Sequence, residues 1–178
     1  MLNRDEAALV VIDVQAKLAP AMDESADLLA NLAKLVQGAK VLGLPILVTE
    51  QNPAGLGPTV PEIASLLAPE RIAKRAFSCC GEPAFLAHLA ALGRRQVLLG
   101  GIEAHVCVCQ TALDLVARGY RVEVVADAVS SRTARNRQIA LDRMRAGGVG
   151  VTSVEAALVE LLKVAEGDAS KAILKIVK

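Results

Sequence analysis

Three side chains in this sequence have the types and positions that nucleophilic chemistry requires, and they are Cys107, Asp13 and Lys74. Cys107 follows the apolar run Val97–Leu99 and the glycine pair 100–101, close to where a helix should begin. The positive end of a helix macrodipole favours the thiolate, which is the nucleophilic form of cysteine. This position therefore predicts a reactive thiol, although a cysteine with apolar neighbours is more often an inert core residue.

Asp13 and Lys74 each stand at the end of a predicted strand. Asp13 follows the apolar run Ala7–Ile12, and Lys74 ends the short predicted strand Arg71–Lys74. The carboxyl ends of parallel strands meet at one edge of an open α/β sheet, which is where such sheets bind ligands. At that edge Asp13 can accept the thiol proton, and Lys74 can keep the carboxylate ionised and stabilise a thiolate. The three side chains together predict attack of sulfur on an electrophilic carbon.

Short apolar runs alternate with helical patterns along the chain. Strands are predicted at residues 7–12, 46–48, 71–74, 97–99, 121–125 and 149–151, and helices begin near residues 28, 83, 107, 134, 152 and 168. This alternation predicts an α/β fold in which a parallel sheet has helices on both faces. No linker or low-complexity segment interrupts it, so residues 1–178 are predicted to form a single domain. The Gly- and Pro-rich stretch Gln51–Pro61 is predicted to be a functional loop.

The composition excludes several classes of partner. Hydrophobic residues make up 53% of the chain and aromatic residues only 2%, with a net charge of +1. Nucleic acid and anionic membranes are therefore not expected partners. Four cysteines without zinc-site spacing, together with two histidines, give no expected metal site. The N-terminus has no signal-peptide pattern and no run is long enough to span a membrane, so we expect a cytoplasmic protein with reduced thiols.

Several spaced motifs resemble the isochorismatase-like cysteine hydrolases, and in particular the subgroup of isochorismatase-domain hydrolases whose substrates are poorly defined. The resemblance extends from about Ala7 to Leu162. The motifs are IDVQ at 12–15, TEQxPxGLGPT at 49–59, KxxFS at 74–78, GIEAHVCVxQTALDL at 101–115, SSRTxxxRxxALxRMxAG at 130–147 and TSVExxLxEL at 152–161.

This resemblance implies a role for each of the chemical residues. Asp13 is similar to the general base of the family, Lys74 to its catalytic lysine and Cys107 to its nucleophile. The family has a non-proline cis peptide bond that would fall at Ile102–Glu103 here, and it directs the backbone N–H groups of Glu103 and Cys107 into an oxyanion hole. The implied fold is a three-layer α/β/α sandwich around a six-stranded parallel sheet, which agrees with the element count. The implied assembly is a homo-oligomer.

The histidine content separates this chain from the metal-binding members of that family. Those members use an Asp and several His, whereas this chain has only His88 and His105. We therefore expect a hydrolase that needs no metal ion or other cofactor. Cys107 is expected to attack an amide, carbamoyl or related C–N bond of a small molecule and to form a covalent intermediate. The predicted substrate contacts are Gln15, Glu50, Gln51 and Phe77.

Two other functions are compatible with the sequence. The first is a catalytically silent protein of the same fold that serves as an oligomeric scaffold or binds a small molecule. The second is a thiol redox sensor, since a thiol of low pKa oxidises readily. The intact set of Asp13, Lys74 and Cys107 argues against the silent protein. The absence of a CxxC partner beside Cys107 argues against the sensor.

Overall fold

A parallel sheet of six strands lies at the centre of the protein, in the computed structural model that describes residues 1–178. The strands are β1 (Ala7–Ile12), β2 (Ile46–Gln51), β3 (Ile72–Lys74), β4 (Gln96–Ile102), β5 (Arg121–Ser130) and β6 (Gly150–Thr152). Their order is β3-β2-β1-β4-β5-β6, and every neighbouring pair is parallel. The predicted six-stranded parallel sheet is confirmed.

Helices cover both faces of this sheet. They are α1 (Ser25–Val41), α2 (Pro53–Leu56), α3 (Pro61–Ala64), α4 (Pro83–Ala91), α5 (Cys109–Ala117), α6 (Ala134–Ala146), α7 (Val154–Leu162) and α8 (Gly167–Val177). One face packs against α1, α3, α7 and α8, and the other against α4, α5 and α6. This is the three-layer α/β/α arrangement. None of the helices combines the length and the apolar character that crossing a bilayer requires.

The central strand β1 shows why the sequence has a continuous apolar run at this point. Leu9 and Val11 pack into one helical layer, whereas Val10 and Ile12 pack into the other. Side chains alternate between the two faces of a strand, so a strand covered on both faces needs apolar residues at every position. The run ends where β1 reaches the carboxyl edge of the sheet, and Asp13 is the next residue.

The strands near the site are longer than their apolar runs. β5 continues to Ser130 rather than ending at Val125, and its register against β4 shifts between Leu99 and Gly101. Asp127 lies within β5, and its carboxylate accepts a hydrogen bond from the backbone N–H of Val154. It therefore caps α7. Polar residues inside β5 concealed the length of the strand.

Gly101 allows β4 to approach β1 closely beside the site. Its φ is +120°, and a Cβ atom placed on it would lie 2.1 Å from the carbonyl oxygen of Ile12 and 2.6 Å from the Ile12 nitrogen. Those atoms are backbone, which cannot move aside as the end of a flexible side chain could. The position next to Asp13 is therefore restricted to glycine.

We expect Gly101→Ala to lower the free energy of unfolding by about 3 kcal/mol or more, since a backbone clash adds to the left-handed strain. Gly43→Ala is the matched control. Its φ is +71°, but nothing lies within 4 Å of the added methyl group, so only the conformational penalty of about 1–2 kcal/mol is expected. Urea unfolding of both variants measures the difference. Equal losses would show that the close approach at Gly101 costs nothing.

Candidate active site

Three separate strand ends bring Asp13, Lys74 and Cys107 together. Asp13 follows β1, Lys74 ends β3, and Cys107 lies in a π-helical turn, Ala104–Val108, between β4 and α5. The Lys74 Nζ atom is 2.7 Å from Asp13 Oδ2, and both side chains are completely buried. Cys107 is only 7% exposed and lies near enough to both charges to respond to each. The residues that the sequence singled out for chemistry therefore form one cluster.

Hydrogen-bond acceptors surround the Lys74 ammonium. Its Nζ donates hydrogen bonds to Gln51 Oε1 at 2.8 Å, to the carbonyl of Phe77 at 3.0 Å and to the carbonyl of Ala76 at 3.2 Å. An ammonium has three hydrogens, so these acceptors share them with Asp13 Oδ2, which is the nearest oxygen at 2.7 Å. The contact with Asp13 joins opposite charges and is an ion pair.

The two carboxylate oxygens of Asp13 differ in their hydrogen bonding. The Thr49 hydroxyl donates to Oδ1 at 2.8 Å, whereas Oδ2 is buried and accepts no well-aligned hydrogen bond. The φ of Asp13 is +54°, a left-handed conformation that Asp and Asn tolerate better than most residues. A buried carboxylate oxygen without a donor is costly, unless a nearby group can supply a proton. Oδ2 is thus available to the Cys107 thiol.

The thiol of Cys107 is neutral at rest, and this corrects the prediction that its position favours the thiolate. The pKa of Cys107 is raised to about 12, chiefly by burial and also by the charge of Asp13 and a hydrogen-bonding contact with it, while Lys74 lowers the pKa. The π turn Ala104–Val108 runs directly into α5, so Cys107 lies in the first turn of one continuous helical segment. Loss of hydration therefore outweighs the helix dipole.

The other three cysteines are also neutral, free thiols. Burial raises the pKa of Cys79 to about 11, and it raises those of Cys80 and Cys109 as well. Cys79 is the one that adjoins the site, because its Sγ lies 3.8 Å from Thr49 Oγ1. Cys80 and Cys109 pack within the core layer that contains α4, α5 and α6.

The turn before Cys107 contains the cis peptide bond at Ile102–Glu103 where the resemblance implies one. The N–H groups of Val106 and Val108 donate to the Glu103 carbonyl, whereas the Glu103 N–H has no acceptor within the chain. His105 Nδ1 lies 2.9 Å from the Ser131 hydroxyl, which gives His105 a local structural contact. An unpaired N–H at this turn fits the predicted oxyanion hole, which remains a prediction.

Gln15 and Gln51 hold the Gln51–Pro61 loop and the lysine. Gln15 is completely buried; its Nε2 donates to the carbonyls of Gln51 and Gly57, and its Oε1 accepts from the Gln51 N–H. The Gln51 side chain accepts a hydrogen bond from Lys74 through Oε1 and donates one to the Arg75 carbonyl through Nε2. A substrate can reach no free donor on Gln15, so the predicted substrate contact at this residue does not match its surroundings.

Glu50 and Phe77 differ sharply in their exposure. Glu50 is 8% exposed and accepts hydrogen bonds from both the N–H and the hydroxyl of Thr59 at 2.7 Å. It therefore anchors the loop and does not face a substrate. Phe77 is 57% exposed, although its carbonyl binds Lys74. Among the four predicted substrate contacts, only Phe77 presents its side chain openly to the surface.

Thr49 is the member of the cluster that sequence reasoning did not single out. It is completely buried and pairs in register with Ile12, the residue before Asp13. A threonine that ends an apolar run in a central strand is a common feature, so its type alone gives no signal. The available signal was positional, because Thr49 stands at the same sheet edge as Asp13.

Open space near the cluster is limited. The four larger hollows have volumes of about 240–400 Å³, and Lys74 contributes to the lining of one of them. Neither Asp13 nor Cys107 lines any of the four. No group of three or more His, Cys, Asp or Glu side chains is arranged to hold a metal ion. The reactive groups thus reach the surface mainly through the small exposed part of Cys107.

A parallel α/β sheet with an acid, a lysine and a thiol at its carboxyl edge defines the class of protein. The chain belongs to the isochorismatase domain family, whose model matches residues 7–156. It is 42% identical over 166 residues to isochorismatase domain-containing protein 1 of Salmo salar, which covers 93% of this chain but only 59% of that relative's length. It is 40% identical to isochorismatase domain-containing protein 2 of Danio rerio, covering 98% of this chain and 88% of the relative.

Solved structures show the same architecture. The MAR1 ribonuclease of Caenorhabditis elegans superimposes with a TM-score of 0.92 at 37% identity, covering 99% of this chain and 91% of that one. The YcaC gene product of Escherichia coli, described as an octameric hydrolase of unknown specificity, gives 0.92 at 27% identity, covering 98% and 88%. YcaC from Pseudomonas aeruginosa, solved with hexane-2,5-diol and covalent acrylamide, gives 0.92 at 27% identity, covering 98% and 90%.

Proposed function

We propose that this chain is a cysteine hydrolase that cleaves an amide, carbamoyl or related C–N bond of a small molecule without a metal ion. The observation that carries the proposal is the buried Asp13–Lys74 pair, in which Oδ2 has no well-aligned donor and the carboxylate contacts the neutral Cys107 thiol. Without an internal base, a thiol with a pKa of about 12 would be almost unreactive at neutral pH. Asp13 supplies that base.

The first half of the reaction forms a covalent intermediate. The Cys107 Sγ bonds to the carbonyl carbon while its proton moves to Asp13 Oδ2, and the carbonyl electron pair moves onto oxygen. The backbone N–H groups of Glu103 and Cys107 stabilise that oxyanion. The C–N bond then breaks, and the nitrogen leaves as an amine after taking the proton from Asp13. The acyl or carbamoyl group remains on sulfur as a thioester or thiocarbamate.

The second half of the reaction regenerates the thiol. Water attacks the carbon bound to sulfur and gives a proton to Asp13, and the C–S bond then breaks with return of that proton to Cys107. Lys74 keeps its charge throughout, so the pair stays electrically balanced whenever Asp13 is ionised. Each step uses a side chain already present in the cluster. The Pseudomonas aeruginosa relative was solved with covalent acrylamide, an electrophile that adds to nucleophiles, and this supports the use of electrophilic probes on Cys107.

Alkylation of Cys107 tests the proposal. A thiol of pKa about 12, left without a base, would react about a thousandfold more slowly at pH 7 than a free thiol of pKa near 9. We expect instead that iodoacetamide modifies Cys107 faster than it modifies glutathione, with one adduct by intact mass that is absent in Cys107→Ser. A panel of amides, carbamates and N-carbamoyl compounds should then show turnover that Cys107→Ser lacks.

Slow alkylation of Cys107 that does not depend on Asp13 would contradict the proposal. It would favour a silent scaffold or binding protein of the same fold. Alkylation without turnover of any C–N compound, together with rapid sulfenic acid formation in hydrogen peroxide, would favour a redox sensor. Peroxide-treated wild type and Cys107→Ser, compared by mass, distinguish these outcomes.

A second candidate is ribonuclease activity, because the Caenorhabditis elegans structural neighbour is named a ribonuclease. The net charge of +1 and the 2% aromatic content argue against a cleft for single-stranded RNA. Incubation with labelled RNA oligonucleotides decides between them. Cleavage by wild type that persists in Cys107→Ser and disappears in Asp13→Asn would favour phosphodiester chemistry over the cysteine mechanism.

We also propose that the chain functions as a homo-oligomer, because Cys107 has little surrounding cavity within one chain and Phe77 is exposed beside Lys74. The octameric relative supports assembly in this family. Light scattering coupled to size-exclusion chromatography should give a mass that is a multiple of 18.6 kDa. A monomer that retains turnover would contradict the proposal.

A further inference from the structure

Thr49 lies behind the Asp13 carboxylate and is closed off from the surface. Its side chain is completely buried, and its hydroxyl donates to Asp13 Oδ1 at 2.8 Å. β2 places it directly beside the end of β1, since Ile12 and Thr49 are register partners. This contact joins two adjacent strands at the point where the reaction occurs.

The Thr49 hydroxyl donates to Asp13 because an ionised carboxylate can only accept a hydrogen bond, and its second neighbour is compatible with that direction. Cys79 Sγ lies 3.8 Å from Thr49 Oγ1 and can donate to it, and the Cys79 N–H is itself held by the Thr111 hydroxyl at 2.9 Å. A hydroxyl has one hydrogen, so a Thr49 that accepts from Cys79 gives its hydrogen to Asp13. The buried thiol stays protonated at neutral pH and remains a donor.

This arrangement assigns different tasks to the two oxygens of Asp13. Oδ1 is occupied by Thr49, and rotation of the carboxylate would break a buried hydrogen bond to a charged group, which is among the stronger kinds. Oδ2 is therefore fixed toward Lys74 and accepts no well-aligned hydrogen bond. A carboxylate free to rotate would instead divide both oxygens among Thr49, Lys74 and the thiol.

We propose that Thr49 is a positioning residue, which orients Asp13 so that Oδ2 is the base and which favours the ionised form of that base. The inference rests on the proposed cysteine chemistry. Thr49 itself touches neither the substrate nor the reacting sulfur. Its effect on the reaction therefore passes entirely through the orientation and the proton affinity of the Asp13 carboxylate.

The rate of Cys107 alkylation by iodoacetamide, measured from about pH 4 to pH 9, tests this role without knowledge of the substrate. In wild type we expect a plateau at neutral pH and a fall at acid pH. Thr49→Val removes the donor and keeps the shape. In this variant we expect the fall in rate at acid pH (the acid limb) to lie about one pH unit higher, because a hydrogen bond to the charged form is lost. We also expect the alkylation rate on the plateau to be about tenfold lower.

Thr111→Val is the matched control, since Thr111 is an equally buried threonine whose hydroxyl contacts Cys79 and not Asp13. Its acid limb should coincide with that of wild type. Thr49→Ser restores the donor and should return the limb to within about 0.3 pH unit of wild type. A purely structural role for Thr49 would lower the urea midpoint without moving the limb. If Thr49→Val does not fold, Thr49→Ala with Thr111→Ala as its control takes its place.

Two results would overturn the inference in distinguishable ways. If Thr49→Val folds and keeps the limb and plateau of Thr111→Val, Thr49 does not position Asp13, although the cysteine chemistry stands. If wild type shows no plateau and its rate rises about tenfold per pH unit, as for an unassisted thiol, Asp13 is not the base. The proposed function and the inference then both fail.

Discussion

Lys74→Met is expected to lower the free energy of unfolding by about 3–5 kcal/mol, because it leaves the buried Asp13 carboxylate without its counter-ion. Both side chains of the pair are completely buried at 2.7 Å separation, so water cannot replace the lost charge. The variant also leaves Gln51 Oε1 and the carbonyls of Ala76 and Phe77 without their donor. Urea unfolding at pH 7 measures the loss.

The double variant Asp13→Asn/Lys74→Met separates charge from packing. Removing both charges should recover a large part of the free energy of unfolding that Lys74→Met loses, because the isolated buried charge is the main cost of that single substitution. The Lys74→Met variant should also lose less stability relative to wild type at pH 5 than at pH 8, since protonation of the carboxyl removes the uncompensated charge. Additive losses with no pH dependence would mean that the pair contributes little electrostatic energy.

Asp13→Asn is expected to reduce the rate of Cys107 alkylation about a hundredfold at pH 6, which lies within the range usual for the loss of a general base. Asparagine keeps the shape and tolerates the left-handed backbone, but it cannot take the thiol proton. The variant also leaves Lys74 unpaired beside the thiol, and an uncompensated cation favours the thiolate. The deficit should therefore shrink as the pH rises.

The shape of the pH profile is the decisive measurement for Asp13. Wild type should react at nearly constant rate across neutral pH, whereas the rate of Asp13→Asn should rise with the thiolate fraction, about tenfold per pH unit below the pKa of its thiol. Intact-mass kinetics at several pH values give both curves, with Cys107→Ser as the blank. Parallel curves for wild type and Asp13→Asn would show that Asp13 takes no part in the proton transfer.

Local patterns in the sequence were sufficient to predict the fold. The fully apolar run Ala7–Ile12 specified a strand buried on both faces, and the alternation of strands and helices specified the parallel sheet. The extent of β5 was missed because Glu123 and Asp127 break its apolar pattern, and only pairing with β4 reveals that the strand continues. Within the Gln51–Pro61 loop, the short helix α2 was also missed.

The residues of the candidate site could be chosen from the sequence, but the protonation state of its thiol could not be predicted. Asp13, Lys74 and Cys107 could be chosen because strand ends converge, but the protonation of Cys107 depends on its burial and on the nearby charges of Asp13 and Lys74. Neither quantity is written in residue order. The loop contacts of Gln15 and Glu50 were not predicted for a related reason, since residue order does not show that a polar side chain binds the backbone of its own loop.

The left-handed backbone at Asp13 limits which residues a mutant library could place there. Few L-residues other than Asp and Asn accept a φ of +54° readily. Glutamate, the obvious substitute for an acid, would combine an extra methylene with a conformational penalty and would displace its carboxylate from Thr49. Random mutagenesis of this codon should therefore yield folded protein from a narrow set of side chains. An evolutionary route to a different base would have to start from another strand.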